Sequence, residues 1–226
     1  MVEIGGIQKT SLSDYPGLVS TVVFLKGCNF RCGYCHNPEL IDFERGDIFE
    51  EDFFSFLDSR KKLIDGVVIT GGEPTCQKDL IDFISRIKEK GFKVKLDTNG
   101  SNPDMISNVL DLVDYFAMDI KAPYEKYSSV CGVSIDISKI KKSIELIINS
   151  GKDYEFRMTV IPALISSKDI IDVSSIIKGG KLFVIQQFNY DKKILDNNLI
   201  NVDRFSKDEL EVIKEKCQKN LKTKVR

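Results

Sequence analysis

Six short apolar runs recur along this chain with helical stretches between them, and that alternation limits the possible folds more than any other feature. The runs are Val19–Leu25, Gly66–Thr70, Phe92–Asp97, Tyr115–Ile120, Tyr154–Ile161 and Leu182–Phe188. Most are apolar on both faces, as strands of a parallel sheet are when helices cover them. Helical spacing marks Phe53–Leu63, Leu80–Lys88, Ile137–Ile148 and Ile170–Ile177. In the second of these, Leu80, Ile81, Phe83, Ile84 and Ile87 form one stripe for burial. Gly91, Gly151 and Gly179 fall where a left-handed C-terminal cap is wanted. Asn102-Pro103 reads as an N-cap with proline in the first helical position. Ser206 to Glu209 reads as a capping box opening a last helix through about Asn220, with Leu221–Arg226 a frayed tail. The alternation implies right-handed crossovers and a parallel sheet. About six strand–helix units are too few for a closed eight-stranded barrel. The expected fold is therefore α/β, an open or partial barrel, with a flat doubly wound sheet as the alternative. In both, functional residues gather at the C-terminal ends of the strands.

The polar residues obey that rule. After the first run comes Cys28-Asn29-Phe30-Arg31-Cys32-Gly33-Tyr34-Cys35-His36, with cysteines spaced C-x3-C-x2-C and the next one only at Cys76. Thiolates so closely set hold soft metals or iron–sulfur clusters. A closed structural site needs four ligands, so three leave a metal position open for chemistry. The other reading is structural zinc with His36 as fourth ligand, although zinc sites favour paired short spacings. Thr70-Gly71-Gly72-Glu73-Pro74-Thr75 ends the second run. Its glycines let backbone approach a ligand closely, and Glu73 can accept from a ligand ammonium. Taken by itself it is also a plain strand-to-helix turn. Asp97-Thr98-Asn99-Gly100 and Met118-Asp119-Ile120-Lys121 end the third and fourth runs. Their oxygens suit a hard cation or the polar part of a ligand, or serve as turn caps. Arg157 suits a ligand carboxylate or an internal pair with Asp119 or Glu155. Cys76, Cys131 and Cys217 read as small buried residues.

Composition narrows the function classes. Of 226 residues 42% are hydrophobic and 30% charged, and the net charge of −1 points to no polyanion, so neither nucleic acid nor an acidic membrane surface is an expected partner. No apolar run approaches the roughly 18 residues that span a bilayer. The start, Met1-Val2-Glu3-Ile4-Gly5-Gly6, lacks the pattern of a signal peptide. Six cysteines without such a signal read as thiols or metal ligands in a reducing, cytoplasmic setting. The single histidine, His36, leaves little room for histidine chemistry elsewhere.

Taken together these residues resemble the radical S-adenosylmethionine (radical SAM) enzymes, known by CxxxCxΦC with Φ aromatic (here Tyr34) and by a GGE stretch after the second strand (here Gly71-Gly72-Glu73). The resemblance implies a partial (βα)6 TIM-like barrel with an open side, one domain over residues 1–226: a lead-in over 1–18, a barrel over about 19–190 and a last helix over about 206–220. It implies a [4Fe–4S] cluster on Cys28, Cys32 and Cys35, with S-adenosylmethionine on the fourth iron. Gly71, Gly72 and Glu73 would contact its methionine amino group, and Tyr34 would lie near its adenine. His36, Asn99, Asp119, Lys121 and Arg157 complete the implied cofactor contacts. A narrower resemblance, carried by Lys9–Gly17 and Gly27–Glu39, is to activating enzymes of glycyl radical proteins, above all that of anaerobic ribonucleoside-triphosphate reductase. Pyruvate formate-lyase activators share the third- and fourth-strand motifs, which implies a monovalent cation held by Asp97, Thr98, Asp119 and the Met118 carbonyl. Those activators carry a cofactor-contacting histidine on the sixth strand, where this chain offers Gln186 or Gln187. The implied partners are a glycyl radical enzyme and an electron donor such as flavodoxin or ferredoxin. The alternatives are a radical SAM enzyme acting on another glycyl radical enzyme, of the pyruvate formate-lyase type, or on a small molecule such as a deazapurine or peptide-derived substrate, and a zinc-stabilised or electron-carrying module.

Overall fold

The computed structural model describes residues 1–189, 193–199 and 202–226; the expected barrel limit at 190 lies outside them. The chain forms two compact units. The first comprises Met1–Asn29, Glu39–Thr98 and Asn102–Phe116; the second comprises Phe30–Pro38, Asn99–Ser101 and Ala117–Arg226. The sheet is mostly parallel, and its strands follow chain order.

The first unit holds β1 (Ile4–Ser11), β2 (Ser20–Leu25), α1 (Glu50–Arg60), β3 (Gly66–Gly71), α2 (Leu80–Glu89), β4 (Lys93–Thr98) and α3 (Pro103–Val109). β2, β3 and β4 are parallel, with Val22 opposite Val68 and Ile69 opposite Leu96. β1 is antiparallel to β2 and bulged. Nothing in its sequence marked it as a strand, because Gly5-Gly6 and the exposed Gln8-Lys9-Thr10 interrupt the alternation. Tyr15, Val22 and Val68 form a buried cluster, with Leu18, Phe24 and Tyr115 packed against it. α2 buries Leu80, Phe83, Ile84 and Ile87, each contributing roughly 1.5–3 kcal/mol of apolar transfer. Phe53 and Phe54 of α1 meet Phe83 at ring centroids 5.3 and 5.5 Å apart, which joins the two helices. Asn102 caps α3 by accepting from the Met105 amide at 3.3 Å. β5 (Tyr115–Asp119) is divided between the units after Phe116.

The second unit continues with α4 (Tyr127–Cys131), α5 (Ile137–Ile148), β6 (Asp153–Val160), α6 (Ser167–Ile176), β7 (Phe183–Gln187), α7 (Lys207–Cys217) and β8 (Thr223–Val225). β6, β7 and β8 are parallel. Phe156, Met158, Phe183 and Ile185 make a fully buried apolar face. The capping box of α7 forms as read, Ser206 accepting from the Glu209 amide at 3.2 Å. Gly91, Gly151 and Gly179 take positive φ, as helix ends require.

One expectation fails: the end of the chain is not frayed. Thr223–Val225 pairs with β7, and the Phe183 amide donates to the Lys222 carbonyl at 2.8 Å while the Arg226 amide donates to Ile185 at 2.9 Å. Leu221 and Thr223 are buried, which anchors the strand although Lys222, Lys224 and Arg226 make it look like a solvated tail.

Candidate active site

The cysteine segment is shared between the units: Cys28 belongs to the first, Cys32 and Cys35 to the second. In the first unit, the end of β3 lies directly on the backbone that leads into Cys28. Gly71 has φ +117°, and a Cβ on Gly72 would stand 2.3 Å from the Gly27 carbonyl oxygen, so only glycine permits the approach. The Gly72 amide donates to Leu25 and the Glu73 amide to Gly27, both at 2.8 Å. On the other side the amides of Gly27 and Cys28 donate to Leu40 and Ile41, both at 2.8 Å. Cys28 is thus held by a backbone frame, which suits a ligand that must not drift.

Glu73 is 1% exposed. Its Oε1 accepts from the Thr75 amide at 3.1 Å, the Thr75 hydroxyl at 2.5 Å and the Thr98 hydroxyl at 2.7 Å. Such donors hold a buried carboxylate in its charged form and fix its direction. Asp97, expected as a cation ligand, stands 2.5 Å from the Nζ of the buried Lys95. Cys76 is half-buried, and burial pushes its thiol up to about 12, helped by the charges of Glu73 and Cys28. It therefore stays protonated beside Cys28.

In the second unit the Cys35 amide donates to the Cys32 carbonyl at 3.0 Å, closing a turn. A hydrogen bond from Cys131 is the main cause that draws the Cys32 thiol down to about 7; burial opposes it and the Lys121 charge assists. A depressed thiol is the form that binds metal. Tyr34 is buried, and its hydroxyl has no hydrogen-bond partner among the described residues. Its ring meets Phe188 edge-on at 6.5 Å, with the Lys121 ammonium 6.0 Å from its centroid. His36 stacks on Phe188 at 4.6 Å, and its Nε2 lies 3.0 Å from the Asn189 carbonyl. That nitrogen is committed to the end of β7 and not offered to a metal.

Asp119 is the hub of the remaining charges. Its Oδ1 accepts from Arg157 Nε at 2.8 Å and its Oδ2 from Lys121 Nζ at 3.0 Å. Burial alone would push this carboxyl up, but Arg157 and Lys121 outweigh it and hold the carboxyl far below the usual carboxylate range. Asn99 is buried and accepts from the Ser101 amide at 2.9 Å. Met118 is fully buried, its side chain packed over Gly100.

Strand register separates the two glutamines. Val184 pairs with Arg157 and Gln186 with Thr159, so Gln186 shares the face of Arg157. Gln187 pairs with Val160 and shares the apolar face of Met158 and Ile185. Of the two, Gln186 is the one on the side of the Arg157–Asp119 pair. Two neighbours of these residues escaped sequence reading: Lys95 and Cys131. The first had a signal, because Lys95 and Asp97 are two apart on a strand and so share a face. The second had none, since the contact joins segments about a hundred residues apart in the chain.

Among the described residues no three His, Cys, Asp or Glu side chains converge on one metal-ion position. A sequence profile of the radical SAM superfamily matches residues 22–168. The chain belongs to the radical SAM superfamily. It is similar to a Methanocaldococcus jannaschii protein carrying the provisional name glycyl-radical enzyme activating enzyme, 40% identical over 195 residues, 82% of this chain and 79% of that one. It is also similar to the pyruvate formate-lyase-activating enzyme of Clostridium pasteurianum, 30% identical over 98% of both chains. Among solved structures, SuiB of Streptococcus suis bound to S-adenosylmethionine aligns with TM-score 0.68 and 15% identity over 88% of this chain. This chain spans 48% of the SuiB chain it matches. QueE of Escherichia coli aligns with TM-score 0.60 and 14% identity, over 100% of this chain and 93% of that one. These likenesses show the fold, the open, mostly parallel sheet of radical SAM proteins. As a radical SAM enzyme the chain is expected to use a [4Fe–4S] cluster and S-adenosylmethionine. The residues fit them: a cysteine held toward thiolate, a glycine pair that opens the backbone, and a buried phenol hydroxyl with no partner among the described residues.

Among the described residues no helix is long and apolar enough to cross a membrane.

Proposed function

We propose that this enzyme activates a glycyl radical enzyme. The observation that carries the reading is the 40% identity over 82% of the chain to a protein named for that activity. Cys28, Cys32 and Cys35 would hold the [4Fe–4S] cluster, with Gly71, Gly72 and Glu73 facing the amino group of S-adenosylmethionine and Tyr34 its adenine. Bound there, cluster and cofactor would supply the chemistry: one-electron cleavage of the sulfonium, with methionine as leaving group, to give the species that takes hydrogen from a glycine. The chain's own part is to hold and exclude. The backbone frame around Gly27 and Cys28 fixes a ligand position. The Thr75 and Thr98 hydroxyls keep the Glu73 carboxylate charged and aimed. Lys121 and Arg157 neutralise Asp119 and place two cationic side chains beside it, which suits a ligand carboxylate. No side chain is needed as general acid or base.

The partner best suited to Lys9–Gly17 and Gly27–Glu39 is an anaerobic ribonucleoside-triphosphate reductase, with flavodoxin or ferredoxin as electron donor. The relative from Clostridium pasteurianum favours pyruvate formate-lyase instead. Anaerobic reconstitution with each candidate, read by electron paramagnetic resonance, decides: a glycyl signal with one partner names it. S-adenosylmethionine cleavage with no glycyl signal from either would move the reading to a small-molecule substrate. The proposed monovalent cation at Asp97, Thr98, Met118 and Asp119 would have to displace the Lys95 ammonium from Asp97. Cleavage rates that do not differ between potassium and a bulky organic cation would remove it.

A further inference from the structure

We propose that Gln77 is a positioning residue for the cysteine segment: its side-chain amide clamps the backbone that leads into Cys28 and ties it to the turn that begins at Glu73. The inference rests on the reading above, in which Cys28 is an iron ligand and Glu73 faces the amino group of S-adenosylmethionine. Gln77 is buried. Its Nε2 donates to the Lys26 carbonyl at 2.6 Å, and its Oε1 accepts from the Glu3 amide at 3.3 Å. The Lys26 amide in turn donates to the Glu3 carbonyl at 2.8 Å. One planar amide therefore bridges the residue before β1 and the residue after β2, with its donor and its acceptor both in use.

The clamp is itself held. Gln77 closes the single helical turn Pro74–Cys76, its backbone amide donating to the Pro74 carbonyl at 3.0 Å, and the Cys76 amide donates to the Glu73 carbonyl at 3.0 Å. Asn102 fastens the same turn by donating to the Thr75 carbonyl at 2.7 Å. Glu73 opens that turn, and its amide donates to the Gly27 carbonyl at 2.8 Å. Two consecutive carbonyls, those of Lys26 and Gly27, thus accept from one turn, the first from the Gln77 side chain and the second from the Glu73 backbone. Anchors on consecutive residues fix the direction as well as the place in which Cys28 leaves the frame. The bonds of Gly27 and Cys28 to Glu73, Leu40 and Ile41 are backbone bonds, which no substitution removes cleanly; that of Gln77 is a side-chain bond, which one does. Gln77 acts through the backbone and not on the reacting atoms.

The test begins with hydrogen exchange of the amides in the metal-free protein. Gln77→Glu keeps the shape and the acceptor for Glu3 but sets a carboxylate oxygen against the Lys26 carbonyl; Gln77→Met keeps the length and removes both bonds. In each, the amides of Gly27, Cys28 and Glu73 should exchange roughly fivefold to 150-fold faster than in the wild type, the effect of leaving a buried group unsatisfied, while those of β4 and β6 stay unchanged. The second measurement is made on reconstituted protein at matched iron content, well below the variant's Tm. Cleavage of S-adenosylmethionine should fall on the order of 10- to 100-fold, and the electron paramagnetic resonance of the reduced cluster with the cofactor added should differ from that of the wild type. A residue that only supports the fold would alter neither. Unchanged exchange at Gly27 and Cys28, exchange that rises uniformly along the chain, or a rate and spectrum like those of the wild type overturns the inference. If only one variant folds, it decides alone; failure of both to fold also overturns the inference, since Gln77 would then support the whole unit and not one segment. A wild type that binds no four-iron cluster overturns the underlying reading, and is recognised at the iron count, whereas the exchange rates of the metal-free protein judge the clamp by itself.

Discussion

Replacing Gly72 with alanine tests whether contact between the β3 end and the cysteine segment is as tight as the backbone shows. The added methyl would lie 2.3 Å from the Gly27 carbonyl oxygen, 2.7 Å from its carbon and 2.9 Å from the Leu40 oxygen. All three atoms are backbone, so no side chain can swing aside. Ordinary contact begins at 3.4 Å, so the two segments must part by 3.4 − 2.3, about 1.1 Å. That breaks the 2.8 Å bond from the Glu73 amide to Gly27. The lost bond costs about 1 kcal/mol and the overpacking about 1–3 kcal/mol. A sum of about 2–4 kcal/mol lowers Tm by roughly 4–16 °C in a chain of this size. Displacing catalytic groups by about an ångström costs on the order of 100-fold in rate. Two assays are paired: thermal unfolding by circular dichroism, and anaerobic release of 5′-deoxyadenosine well below the variant's Tm at matched iron content. A Tm within about 2 °C of wild type, with cleavage within twofold, would refute the argument, since the glycine would then be a turn residue and not a spacer.

Other outcomes follow from the same structure. Asp119→Asn leaves Arg157 and Lys121, with side chains 12% and 16% exposed, without their carboxylate, and should cost about 2–4 kcal/mol. Because the folded carboxyl is depressed, its contribution is full above the unfolded value of about 3.9 and is lost as pH falls through the folded value. The Tm gap between variant and wild type should therefore be widest at neutral pH and narrow below about pH 4; a gap that widens in acid would contradict the pairing. Tyr34→Phe removes a buried hydroxyl that has no partner among the described residues, so the metal-free protein should be as stable or up to about 1–2 kcal/mol more so, while affinity for S-adenosylmethionine falls. Unfolding curves and equilibrium dialysis check the two halves, and a destabilised variant would show that the hydroxyl is satisfied. Deleting Thr223–Arg226 removes the bonds of Arg226 to β7 and should lower Tm by several degrees; an unchanged Tm would mean a frayed end after all.

The parallel strands were legible because each is a short, β-branched run bounded by glycine or polar residues, and register then follows from chain order. β1 was not, because its pairing depends on β2 and not on its own alternation. β8 was not, because a strand of three residues with lysines around one buried threonine has no pattern to read. The site divides in the same way. Cys28, Cys32, Cys35 and the Gly71-Gly72-Glu73 stretch are local signatures, and spacing alone exposes them. What surrounds them is set by contacts across the chain: Thr98 on Glu73, Arg157 on Asp119, His36 on Phe188 and the Cys131 carbonyl on the Arg31 amide. The Lys95–Asp97 and Asp119–Lys121 pairs lie between these cases. Their two-residue spacing puts both members on one face of a strand or its extension, so the oxygens that look like a cation pocket already meet lysine ammonium groups.

Electron–nuclear double resonance on the reduced, reconstituted enzyme is the most direct test that three cysteines leave one iron for an outside molecule. S-adenosylmethionine labelled in its amino nitrogen and carboxylate oxygens is added anaerobically. Direct hyperfine coupling of both labels to the cluster is the predicted result. A protein that carries stoichiometric zinc, or a cluster whose spectrum the labelled cofactor leaves untouched, would contradict it.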